Sequence, residues 1–149
     1  MQDELIRRAA SLMAEQTAAY GRLTSLCAQM LAALVRDAPE TIESLVRAGD
    51  AELHKMRARL VELVNTLAAF ADARAAGPQP ISDEARDLFE RASADLMRAA
   101  REFQHVRRRA AMLANNGSVL TAACMEMHGI QPITYSVPLT PRGGPTRWA

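Results

Sequence analysis

Residues 82–128 read SDEARDLFERASADLMRAAREFQHVRRRAAMLANNGSVLTAACMEMH, and an apolar or small residue recurs through them in unbroken alternation of four and three: Ala85, Phe89, Ala92, Leu96, Ala99, Phe103, Val106, Ala110, Leu113, Gly117, Leu120, Cys124 and Met127. A mean spacing of 3.5 keeps one narrow seam turned toward a partner helix along the whole run, which no strand pattern does. The spacing predicts a single helix from Ser82 to His128. Ser82 is its N-cap, Asp83 and Glu84 oppose the positive end of its dipole, and Gly129 and Pro132 stop it. At 1.5 Å per residue such a helix is roughly 70 Å long.

Its two halves differ. Before Ala110 the positions off the seam carry Glu90, Arg91, Asp95, Arg98, Arg101, Glu102 and the run Arg107 to Arg109, a solvated back. From Ala110 to Met125 there is no charged residue. A stretch of that kind needs cover on more than one side, from its own chain or from a partner.

The preceding chain has the same grammar. In the first helix, expected from Asp3 to Val35, Ile6, Met13, Tyr20, Cys27 and Leu34 recur every seven residues beside the row Leu5, Leu12, Ala19, Leu26, and Gly21 next to the seam marks close packing. Pro39 opens a second helix, with Asp37 and Glu40 at capping-box spacing. Its seam reads Ile42, Val46, Gly49, Leu53, Met56, Leu60, Leu63, Leu67, Phe70, so one helix to about Ala75 passes through Gly49-Asp50. Gly77-Pro78-Gln79-Pro80 turns the chain into the third helix. The fold class is therefore all-α: three long antiparallel helices in a coiled-coil-like bundle, residues 1–129, followed by a flexible Pro-rich tail, 130–149. Starting level, the third helix overshoots the hairpin by ~10 residues, or ~15 Å, and the overhang is the uncharged end, with Gly117 near its root.

Composition agrees and excludes much else. The 149 residues are 49% hydrophobic but only 4% aromatic, as in an Ala- and Leu-rich helical bundle. A net charge of +1 leaves no electrostatic case for nucleic acid as the principal partner. The acidic start Met1-Gln2-Asp3-Glu4 is unlike a signal peptide, and no stretch approaches the ~20 apolar residues of a membrane span, so a cytoplasmic protein is expected. Cys27 and Cys124 sit singly on apolar seams, outside any redox or zinc spacing.

No catalytic, cofactor-binding or metal-binding set is readable. Glu102-Phe103-Gln104-His105 has the Glu-x-x-His spacing of di-iron bundles, but one copy with Phe103 on the seam leaves Glu102 at its edge and His105 outward. His54 and His128 stand alone. Arg107 to Arg109 point over a wide arc and make no groove-reading face. The 110–125 stretch remains: a helix end buried by its own bundle or a homodimer, or a grip for a partner's amphipathic helix. Met112, Asn116, Val119 and Ala123 form a second face there, with Met supplying adaptable packing.

The order of Leu45, Gly49-Asp50, Leu53, Lys55, Leu60 and Leu63 in the second helix, a Pro/Gly link, Asn115-Asn116 before Leu120 in the third, and the tail Tyr135 resembles the FlgN-type flagellar export chaperones, over the chain to about Tyr135. The resemblance implies a cytoplasmic chaperone of the flagellar type III secretion system, without cofactor, monomeric or a weak homodimer. Such a protein binds C-terminal helical segments of the hook-filament junction (hook-associated) proteins, prevents their premature assembly and delivers them to the export gate. It implies cargo binding by Met112, Leu113, Asn116, Val119, Leu120, Ala123 and Met127, and gate contact by Tyr135. The alternative is a homodimeric coiled-coil scaffold or granule-coat protein with 110–125 as its self-interface.

Overall fold

The computed structural model describes residues 1–36 and 38–127, with side chains as far as Gly117. It is all-α, with helices α1 (Gln2–Val35), α2 (Pro39–Ala76) and α3 (Asp83–Met127) and no strand among the described residues. Each boundary of α1 and α2, and the start of α3, lies within one residue of the position its capping and stop signals predict; Gly129 and Pro132, the expected stop of α3, lie outside the described residues. The chain divides into two units, Met1–Asn115 and Asn116–Ala149. The first holds α1, α2 and most of α3; within the second, the helix is described to Met127.

Polar contacts fix the helix directions in the first unit. Gln2 Nε2 donates to the carbonyls of Ala73 (3.0 Å) and Gly77 (2.8 Å), Gln16 Nε2 to that of Met56 (3.2 Å), and Arg22 pairs with Glu52 at 2.7 Å. Partners on α2 descend as α1 ascends, so these two helices are antiparallel. Arg7 pairs with Glu84 at 2.7 Å and the Tyr20 and Phe103 rings lie 5.7 Å apart, so α3 runs parallel to α1.

The core is built on α1. One cluster joins Ala9, Leu12 and Met13 to Leu63, with Leu67, Phe89, Ala92 and Leu96 packed against it; a second joins Ala19 and Leu23 to Met56, covered by Tyr20, Leu26 and Phe103. The α3 seam behaves as its spacing requires. Ala85 is buried, and Phe89, Ala92, Leu96, Ala99, Phe103, Val106 and Ala110 are all half-buried.

The α2 seam needs correction. Val46, Leu53 and Leu60, read as core, are 43%, 40% and 50% exposed. The buried line runs instead through Leu45, Gly49, Glu52, Met56, Arg59, Leu63, Thr66 and Phe70, again alternating four and three. Two charged residues are admitted to it because α1 supplies their partners: Glu52 meets Arg22, and Arg59 lies 3.5 Å from Glu15 and 3.8 Å from Glu52. With Gln16 they form a polar layer inside the hairpin. The Arg22 guanidinium holds the Glu52 carboxyl below its usual range, against burial, which pushes it up.

Local expectations fare unevenly. Ser82 caps α3, its Oγ accepting the Ala85 N–H at 3.3 Å. The N-cap of α2 is Ala38, without a side-chain hydrogen bond, one residue after the Asp37 that capping-box spacing favours; Pro39 takes the first helical position and moves the cap forward. Gly21 does not mark close packing, since a Cβ there would meet open space, and α2 passes Gly49 unbroken with open space there too. Helix α1 also contains a window that is, by length and composition alone, apolar enough to cross a membrane, with mean hydropathy 1.2. That corrects the expectation that no stretch approaches a span. Many of its outward positions are small, Ala18, Gly21, Ser25, Ala28 and Ala32, of which the alanines raise hydropathy without offering bulk, and its Arg22 is paired across the hairpin.

Candidate functional site

Cover along α3 ends abruptly inside the first unit. Within this unit Ala110 is the last half-buried seam residue, and Leu113, the next, is 52% exposed, with Met112 at 65%. Ala111, Ala114 and Asn115 are exposed as well. The cause lies in helix length. Contacts between α1 and α3 fall at separations of 77 residues (Arg7 to Glu84), 79 (Asp3 to Ser82) and 83 (Tyr20 to Phe103), and the shortest of these carries the end of α1 at Val35 to the level of Met112. Beyond its own last turn α1 has no further side chains to give.

The end of α1 is itself apolar and open. Leu34 is 39% and Val35 83% exposed. Large apolar side chains thus stand uncovered on two parallel helices at one end of the unit. No charged side chain follows Arg109 on the described part of α3 in this unit, so apolar contact is the chemistry on offer.

Of the residues assigned to cargo binding, Met112 and Leu113 stand exposed in the first unit, while Asn116 is exposed in the second. Val119, Leu120, Ala123 and Met127 lie on helical backbone whose side chains are outside the description. Helical spacing alone places them in register. Tyr135 and His128 lie outside the described residues.

Glu102 and His105 are exposed on either side of half-buried Phe103, and His54 is exposed on α2. Asp3 and Glu84 are held below the usual carboxylate range, Asp3 by the Ser82 hydroxyl and backbone N–H, Glu84 by the Arg7 guanidinium. Burial pushes the half-buried Cys27 thiol up, away from the thiolate a nucleophile needs. Among the described residues no three metal-ligating side chains cluster.

Sequence reading missed the polar layer of Gln16, Glu52 and Arg59. The signal was there: Gln2 and Gln16 keep four-three step with Ile6, Ala9, Met13 and Tyr20, and Glu52 and Arg59 keep it with Gly49, Met56 and Leu63. A search for apolar residues alone passes over both rows. The chain matches no protein-family model, no curated protein and no solved structure.

Proposed function

We propose that the chain is a cytoplasmic export chaperone of the FlgN type. It binds C-terminal helical segments of hook-filament junction proteins, prevents their premature assembly, and delivers them to the flagellar type III export gate. The observation that carries the reading is the loss of cover between Ala110 and Leu113: a seam matched to a helix along α1 continues in the sequence after its partner has ended, with Met112 and Leu113 exposed. Segments that assemble through apolar helical seams are masked by a chaperone offering a matching seam. Met112, Leu113, Asn116, Val119, Leu120, Ala123 and Met127 are the cargo-binding residues in this reading, and Tyr135 is the gate contact.

The test is calorimetric titration of the full chain with the C-terminal helical segments of the hook-filament junction proteins from the same organism. One-to-one binding with a negative heat-capacity change, lost in Leu120→Asp while helicity is kept, supports the chaperone. Failure to bind any segment, together with a dimer broken by Leu120→Asp, makes residues 110–125 a self-interface and favours a scaffold or granule-coat protein.

A further inference from the structure

Two residues before each seam residue of α3, roughly on the opposite side of the helix, runs a second row in the same alternation: Asp83, Asp87, Glu90, then Ala94, Met97, then Arg101, Gln104, Arg108. Every one of these residues is exposed, Met97 by 54%. Its first part is acidic, its centre apolar, its last part basic or amide. Reversed about the point between Ala94 and Met97, the row becomes its own complement: Asp83 falls opposite Arg108, Asp87 opposite Gln104, Glu90 opposite Arg101, and Ala94 opposite Met97.

We infer that this outer face of α3 pairs with the same face of a second copy of the chain, antiparallel, about a two-fold axis at Ala94 and Met97. Two-fold symmetry makes every match occur twice. A parallel pairing sets Glu90 against Glu90 and Arg101 against Arg101, so the charge pattern chooses the direction. Glu90 and Arg101 cannot pair with each other within one helix, because they are ~16 Å apart along the axis. Of the charged residues in the row, Asp83 has an ion pair in its own helix, with Arg86 at 3.3 Å, and among the described residues none pairs with Asp87, Glu90, Arg101 or Arg108. The acidic half turns away phosphate backbones and anionic lipid, which the basic half alone would attract. With only Ala94 and Met97 to bury at its centre, the pairing is weak and sensitive to salt. The face belongs to the first unit, so the inference is independent of cargo binding by the following residues.

Sedimentation equilibrium of the full chain tests it. At about 50 mM salt the average mass rises with concentration from 16.3 kDa toward twice that value, and at about 500 mM the rise moves to higher concentration. Glu90→Arg and Arg101→Glu each hold the chain at monomer mass with unchanged helical circular dichroism. Mixing the two single variants restores association, since each then meets its opposite charge, and the double variant Glu90→Arg/Arg101→Glu self-associates. A wild-type chain monomeric throughout overturns the inference. So does a dimer indifferent to both single substitutions, or single variants that do not recover on mixing.

Discussion

Asp3 accepts hydrogen bonds from both the backbone N–H and the hydroxyl of Ser82, at 2.9 and 2.5 Å, while the same hydroxyl oxygen accepts from Ala85 N–H. The residue that starts α3 is thereby tied to the first turn of α1, and one side chain serves as helix cap and as clasp between elements 79 residues apart.

Ser82→Ala removes both roles and lowers unfolding free energy by about 1 kcal/mol or somewhat more, at the upper side of an ordinary cap loss. Combined with Asp3→Ala it adds less than the sum of the single changes, because the second substitution removes a partner already gone. Urea unfolding of the four proteins reads the coupling.

Acid weakens the fold through named carboxylates. Asp3, Glu52 and Glu84 have folded pKa values below their ordinary values of 3.8, 4.5 and 4.5. Their contributions are complete above those ordinary values and are lost as pH falls through the lower folded ones. Tm is therefore expected to hold between pH 7 and about 5 and to drop steeply below about 4. Glu52→Gln, which keeps the shape but accepts the Arg22 bond without charge, flattens that acid limb.

Gly21 and Gly49 are helical and open to added volume. Gly21→Ala and Gly49→Ala each raise stability by about 0.5–1 kcal/mol through helix propensity and a less disordered unfolded chain. Thermal melts check this; a loss at Gly21 would show a tight contact there after all.

Core and exposed end separate by substitution. Leu12→Ala, at 2% exposure, costs about 2–5 kcal/mol. Leu113→Asp, at 52% exposure, shifts stability by no more than about 0.5 kcal/mol. In the chaperone reading Leu113→Asp nevertheless abolishes the heat of cargo titration. Its global unfolding would make the end of α3 part of the core.

The helices were legible because their boundaries rest on local chemistry: Ser82 as cap, Pro39 at a first helical position, and Gly77-Pro78 as a stop. The α3 seam was legible too, since Phe89, Leu96 and Phe103 keep a seven-residue row that Leu88 and Met97 do not share. Which face of α2 turns inward was not. Val46, Leu53 and Leu60 offer a better apolar row than Glu52, Arg59 and Thr66, and only the partners on α1, Glu15, Gln16 and Arg22, reverse the choice. Such a decision belongs to two helices together and is invisible in either alone. The point where cover ends on α3 is likewise a matter of register, set by Asp3, Arg7 and Tyr20 against Ser82, Glu84 and Phe103.

Of the buried apolar residues among those described, Ile6, Ala9, Ala10, Leu12, Met13, Ala19, Leu23 and Ala33 come from α1, against Met56 and Leu63 from α2 and Ala85 from α3. The ribosome makes this template before anything that folds on it. Helix α1 must wait unsupported through the synthesis of α2, and α3 then arrives at a groove already half assembled. A chain starting after Val35 would carry two amphipathic helices and no nucleus, so loss of the N-terminal segment should leave a nascent protein for the proteases and no smaller version of the bundle.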